Sequence, residues 1–141
     1  MKTWEQLVAA ESRSYLRWLQ MMENTLPAER AYHSHSYEGR LLHLYTRVGR
    51  NYYALNETFV CLAGVEVKAE YRGKGLFSSL LQHIEKHEDQ LRATYLAVES
   101  VANPRFASKL DALGFSRFEL VHPDSSPTFY RRLGASSPKT Q

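Results

Sequence analysis

The chain has 141 residues, 43% of them apolar and 23% charged, with a net charge of +3. That is enough apolar content for one domain with a sound core, and no apolar run approaches the length of a membrane-spanning helix. The single cysteine, Cys61, excludes an internal disulfide and fits a reducing, cytoplasmic setting.

The opening residues lead into no signal-peptide apolar core. Instead the spacing predicts a helix over residues 3–23, where Trp4, Leu7, Val8, Glu11, Tyr15, Leu16, Trp18, Leu19 and Met22 recur at three- and four-residue intervals. Thr3 suits the N-cap and Pro27 stops the pattern. Residues 24–40 are polar and mixed, and read as a loop with or without a short helix. His33 and His35 lie within it, and two histidines two apart with no cysteine nearby make a poor metal signature. Residues 41–49 alternate and favour a strand. A short strand at 52–55 is expected between two turn signals.

Residues 58–67 form the longest expected strand, apolar on both parities and so covered on both faces. Gly64 within it suggests a bulge or a close backbone approach. By simple alternation, Glu66 should point away from the side of Cys61 and Ala63. A helix follows from Gly75 to about Leu91. Its His83 and His87 stand among Glu85, Lys86, Glu88 and Asp89 and read as part of a solvated face, so no metal is expected. Residues 94–101 form the next strand, and a strand–helix–strand unit of this size implies a right-handed crossover between parallel neighbours. Asn103-Pro104 opens a second helix with Phe106, Leu110 and Leu113 turned inward and Gly114 closing it. Residues 116–121 and 128–133 read as a strand pair. The expected organisation is one domain, 1–133, with a disordered polar tail, 134–141.

The stretch Tyr71-Arg72-Gly73-Lys74-Gly75-Leu76 links the longest strand to the helix after it. A strand, a glycine turn and a helix in that order present free N–H groups and the positive end of the helix dipole, which together favour an anion such as phosphate. Arg72 and Lys74 add positive charge there. The turn is not a Walker loop, and Ser78 stands where a dinucleotide fingerprint needs its third glycine. Basic residues elsewhere are scattered rather than gathered on one face, which argues against a nucleic-acid partner.

Val65 to Leu76, followed by Leu80-Leu81, resembles the acyl-CoA-binding motif of the GNAT N-acetyltransferases: Arg or Gln, two residues, Gly, one residue, then Gly or Ala. Asn103 with Leu113-Gly114-Phe115 resembles the second signature of that family, and the order of elements fits from Leu41 to Leu133. The resemblance implies an α/β fold with a mixed, mostly antiparallel sheet, a splayed parallel strand pair and helices on both faces. It implies acetyl-CoA as cosubstrate, with the pantetheine along the backbone of Val65 to Val67. The diphosphate would rest on Arg72, Gly73, Lys74, Gly75, Leu76 and Phe77, with Asn103 and Arg105 on the coenzyme's arm. The implied activity is transfer of an acetyl group to an amine of a small molecule or protein. The alternative is a non-catalytic acyl-CoA-binding module.

Four departures from the family pattern stand out. Phe77 replaces a small residue, Leu110 stands where many members carry a proton-donating tyrosine, and Cys61 and Ala63 occupy positions where some carry a general base. The chain also begins directly with a helix, leaving little room for the family's first strand. Glu99, acting through a water, is therefore the candidate base and Tyr130 the candidate acid, while Cys61 reads as a small buried residue rather than a nucleophile. The acceptor is expected between residues 24–40 and 122–127, where Glu23, Glu29, Glu38 and Asp124 are the charges available to an ammonium group. Oligomeric state is left open, a homodimer included.

Overall fold

Thr3 starts the first helix, α1 (Trp4–Asn24), through a reciprocal capping box. Its hydroxyl accepts from the Gln6 amide at 3.2 Å, and the Gln6 side chain accepts from the Thr3 amide at 2.9 Å. The computed structural model describes residues 1–25, 31–50, 57–99, 104–117 and 128–133. The expected strand at 52–55, Asn103, all of 118–127 with Asp124, Glu29 and the tail 134–141 lie outside them.

Residues expected to form a loop instead form an edge strand, β1 (Tyr32–Glu38), antiparallel to β2 (Leu42–Gly49). Tyr37 is its one buried side chain, so the apolar alternation that marks a strand is missing from the sequence. Backbone pairing with β2 supplies what the side chains do not. The hairpin is clamped from below by the buried Glu11 of α1, which accepts from the Tyr37 hydroxyl at 2.7 Å and the Leu41 amide at 2.6 Å. Burial, aided by Glu11 and opposed by a hydrogen bond with Ser14, pushes the Tyr37 phenol up to about 12.

β3 (Phe59–Val67) runs antiparallel to β2 and parallel to β4 (Tyr95–Val98), and β6 (Phe129–Arg132) pairs with both β4 and the short β5 (Ser116–Arg117). The order across the sheet is β1-β2-β3-β4-β6-β5. This is the mixed, mostly antiparallel sheet with one parallel pair among its described strands. Between β3 and β4 runs α2 (Leu76–Lys86), which ends before the expected Leu91 because a 3-10 turn, Glu88–Gln90, takes over. α3 (Pro104–Ala112) follows β4, and Gly114, at φ +88°, provides the expected left-handed exit.

A bulge governs β3. Tyr45 pairs with Gly64 and Thr46 with Leu62, so Ala63 is the extra residue. Before it, Val60 and Leu62 join the larger core cluster; after it, the odd-numbered Val67 packs there. Glu66 therefore lies on the same side as Cys61, contrary to simple alternation, with a carboxylate oxygen 3.6 Å from Nδ1 of its register partner His43.

α1, α2 and α3 all contribute to the larger cluster, with Tyr15, Leu19, Leu80, Ile84 and Leu110 fully buried or nearly so. The Tyr15 hydroxyl meets Thr46 Oγ1 at 2.7 Å. The other side of the sheet carries a smaller cluster of Phe59, Cys61 and Ala97, against which Ala63, Tyr95 and Tyr130 pack. Two polar staples close the structure. The Arg131 guanidinium, itself buried, donates to Glu88 at 2.8 Å. Glu23 accepts from the amides of Arg92 and Ala93 at 3.0 and 2.8 Å, which occupies a carboxylate considered above as an amine attractor. Burial raises the Glu23 pKa, with those two amides working against it. No helix among the described residues is long and apolar enough to cross a membrane.

A Cβ at Gly39 would sit 2.6 Å from both a Glu11 carboxylate oxygen and the Tyr37 ring. Gly39→Ala is expected to cost about 1–3 kcal/mol through this overpacking, read as a lower urea midpoint. An unchanged midpoint would mean the clamp is loose.

Candidate functional site

Among the described residues, the parallel ladder between β3 and β4 stops early. Its links include Tyr95 N–H to Thr58 C=O at 3.1 Å, and Glu99 N–H to Leu62 C=O, also at 3.1 Å, closes it. β3 continues to Val67 while β4 ends at Val98. The Lys68 amide donates to Leu41 at 3.0 Å, on the β2 side. By the two-residue alternation of a strand, the backbone groups of Val65 and Val67 then turn to the side that β4 has vacated. Arg72 Nε donates to the Val67 carbonyl at 2.9 Å and ties the following turn to this strand end.

That turn passes through Gly73 at φ +77° and Gly75 at φ +73°, with Gly75 as N-cap of α2. Both conformations are left-handed and favour glycine. No side chain caps the helix. The amides from Gly73 through Ser78 donate to no partner among the described residues. The vacated strand edge and the uncapped helix start open into one cleft of about 700 Å³.

Nearly all the residues expected at the coenzyme site meet in this cleft. Val65, Val67, Arg72, Gly73, Gly75, Leu76, Phe77 and Arg105 line it. Lys74 does not: its Nζ lies over the Trp4 ring, 5.1 Å from the centroid, and Trp4 in turn stacks on Tyr71 at 5.8 Å. Asn103 is outside the described residues. Phe77, the departure from a small residue, packs its ring 5.2 Å from that of Phe106.

The two catalytic candidates are not brought together there. Glu99 lines the cleft, but one of its oxygens accepts from Arg47 Nη1 at 2.9 Å, with 13% of the Glu99 side chain and 28% of the Arg47 side chain exposed. Tyr130 lies outside the cleft lining, packed edge-on to Tyr95 at 6.0 Å. Its register partner is Ala97, so it stands on the same side of the sheet as Glu99 and diagonal to it. Cys61 and Leu110 are fully buried. The remaining described histidines have local partners: His33 Nε2 lies 3.0 Å from the Met22 carbonyl and 3.2 Å separates its Nδ1 from His35 Nε2, and the His83 and His87 rings are 4.4 Å apart.

Two residues escaped the sequence. Lys109 lines the cleft, and its spacing of four from Arg105 on α3 was the available signal. Arg47 reaches Glu99 across an intervening strand from 52 residues away, and nothing local announces such a pair.

The two kinds of glycine can be told apart. A Cβ at Gly75 would meet nothing within 4 Å, so its constraint is purely conformational. Gly64 is not left-handed, and its Cβ would be 3.4 Å from that of Tyr45, an ordinary contact. Gly75→Ala should therefore cost about 1–2 kcal/mol, and Gly64→Ala less than about 0.5 kcal/mol, by chemical denaturation. Equal losses would contradict the assignment.

No protein-family model matches the chain, and no curated protein matches it at a significant level. Solved structures do. The ribosomal-protein-S18-alanine N-acetyltransferase from Escherichia coli aligns over 99% of this chain and 96% of its own, with a TM-score of 0.50 and 14% identity. An acetyltransferase from Thermus thermophilus aligns over 89% and 86%, at 0.45 and 19%. A mutant AtaT toxin bound to the C-terminus of the antitoxin AtaR and to acetyl-CoA aligns over 66% of this chain, at 0.44 and 18%. The chain spans 59% of the length of that toxin. The likeness is one of architecture: the chain has a GNAT-type acetyltransferase fold.

Proposed function

We propose that the chain is an acetyl-CoA-dependent N-acetyltransferase, a single cytoplasmic domain acting on an amine of a small molecule or protein. The observation that carries the proposal is the joining, in one cleft, of the β3 edge at Val65 and Val67, which has no strand beside it among the described residues, with the uncapped turn and helix start from Gly73 onward. A pantetheine arm has amide groups to pair with the first, and a diphosphate suits the second. Each hydrogen bond to a charged phosphate is worth about 1.5–3 kcal/mol. Several of them suffice to hold the coenzyme without help from Lys74.

In this proposal the acceptor amine attacks the thioester carbonyl, forming a tetrahedral oxyanion and then expelling the thiolate. A β3 amide on the vacated edge, near Val67, would stabilise that oxyanion. The amine must first be neutral, which costs about 4.6 kcal/mol at pH 7 for a lysine side chain but only about 1.4 kcal/mol for an N-terminal amine. Proton removal falls to the Glu99 carboxylate, already engaged by Arg47, through a water. That modest base favours an amine of low pKa. Tyr130 is the remaining candidate donor to the thiolate, and would have to reach it from outside the cleft lining.

The second reading, an acyl-CoA-binding module without catalysis, is favoured by the same engaged carboxylate and by the buried Leu110 at the usual tyrosine position. Acetyl-CoA at about 100 times its Kd should stabilise the fold by about 2.7 kcal/mol and raise Tm accordingly. Gly75→Glu should abolish the shift by setting a carboxylate against the diphosphate. No shift at saturating acetyl-CoA would sink both readings. Thiol release with a panel of amines separates them: Glu99→Gln should slow turnover by about 100-fold or more, whereas binding without release by any amine leaves only the module.

A further inference from the structure

The two edges of the sheet differ. Among the described residues β5 is two residues long and carries the exposed Arg117. At the other edge β1 is seven residues long, largely exposed, and paired to β2 without a register shift. It holds no proline, lysine or arginine, and its one acidic residue, Glu38, stands at its end. The devices that keep a strand edge from pairing, namely brevity, a bulge, proline or lysine, are missing from it. Two bonds fix the direction of its free groups. The Gly39 amide donates to Leu42 at 2.9 Å, and the Ala31 carbonyl accepts from Arg50 at 2.9 Å. Odd-numbered residues therefore turn their backbone groups to β2, and Tyr32, Ser34, Ser36 and Glu38 turn theirs outward. Among the described residues no strand pairs with this outer side.

We propose that this edge pairs with β1 of a second copy of the chain, antiparallel about a two-fold axis at His35. Of the possible registers, this one engages the whole strand. Tyr32 faces the second copy's Glu38, His33 faces its Tyr37, and Ser34 faces its Ser36. Every outward amide then finds a carbonyl. The side chains agree with this register: hydroxyl opposite hydroxyl, phenol opposite carboxylate, and Glu38 never opposite itself. A strand that is nearly uncharged and complementary to itself suits its own copy better than a partner of opposite charge. His35 meets its own copy as a pair without mutual hydrogen bonds, which sets the two Cα atoms about 4.5 Å apart. No described residue lining the coenzyme cleft belongs to β1, so the pairing leaves that cleft open and stands apart from the functional proposal.

Sedimentation velocity across the micromolar range tests the pairing. One strand pair makes a small interface, so the native chain should pass from monomer to dimer as concentration rises. Ser36→Pro removes an outward amide that β2 does not use. It should weaken the dimer at least about 10-fold while circular dichroism shows the fold intact. His35→Cys should give a disulfide-linked dimer on mild oxidation, because the Cα spacing at the two-fold suits a disulfide and the native Cys61 is buried. Ser36→Cys, which faces Ser34, should crosslink far less. That comparison decides the matter should Ser36→Pro fold poorly. Three results would overturn the proposal: a native chain that stays monomeric, its edge left to an extended segment of another protein; a dimer that a folded Ser36→Pro variant keeps at full strength; or equal crosslinking at the two positions.

Discussion

The structure depends on a parallel ladder that ends too soon. Among the described residues, Glu99 makes the last link to Leu62, and β3 runs on to Val67 without a parallel neighbour. Backbone amides and carbonyls inside a protein need partners, since a buried group left unpaired costs about as much as a lost hydrogen bond. An edge of this kind in the middle of a sheet is therefore either wet or occupied by a ligand with amides of its own. The bulge at Ala63 decides which groups face that edge. It turns Val65 and Val67 toward the gap and sends Glu66 to the side of Cys61 and His43. One inserted residue thus sets both the lining of the cleft and the face that bears its charges.

The surroundings of the gap are arranged to keep it open. Arg72 ties the glycine turn to the end of β3, so the uncapped start of α2 is held beside the vacated edge. Trp4 holds Tyr71 by stacking and Lys74 by its ring face, so the N-terminal helix braces the turn from outside. Phe77 fills against Phe106 on α3, which lets a large residue stand where small ones are common. Polar clamps that have no catalytic part, Glu11 under the first hairpin and Glu23 under the approach to β4, fix the helices against the sheet. Of the described residues lining the cleft, Glu99 alone carries negative charge, and Arg47 meets it.

Much of this was legible in the chain. Local chemistry announces itself: the Thr3 cap, the glycines that need positive φ, the C-terminal glycine of α3 and the apolar run of β3 all follow from short-range rules. The shape of the glycine turn followed for the same reason, because backbone geometry at a strand–turn–helix junction is a local matter. What was not legible came from partners distant in sequence. β1 carries one buried side chain, and only its pairing with β2 makes it a strand. The parity of Glu66 depends on a register shift between two strands, of which Gly64 gave only a hint. The Arg47–Glu99 pair joins strands that are not neighbours, and the position of Tyr130 relative to the cleft is fixed by the sheet order rather than by any motif.

Backbone amides are the central claim, and they can be watched directly. In a titration with acetyl-CoA followed by amide nitrogen–proton spectra, the account predicts the largest changes at Val65, Val67 and the run from Gly73 through Ser78, with the paired amides of β1 and β2 nearly still. Changes centred elsewhere, or a spectrum that stays the same at saturating ligand, would contradict it.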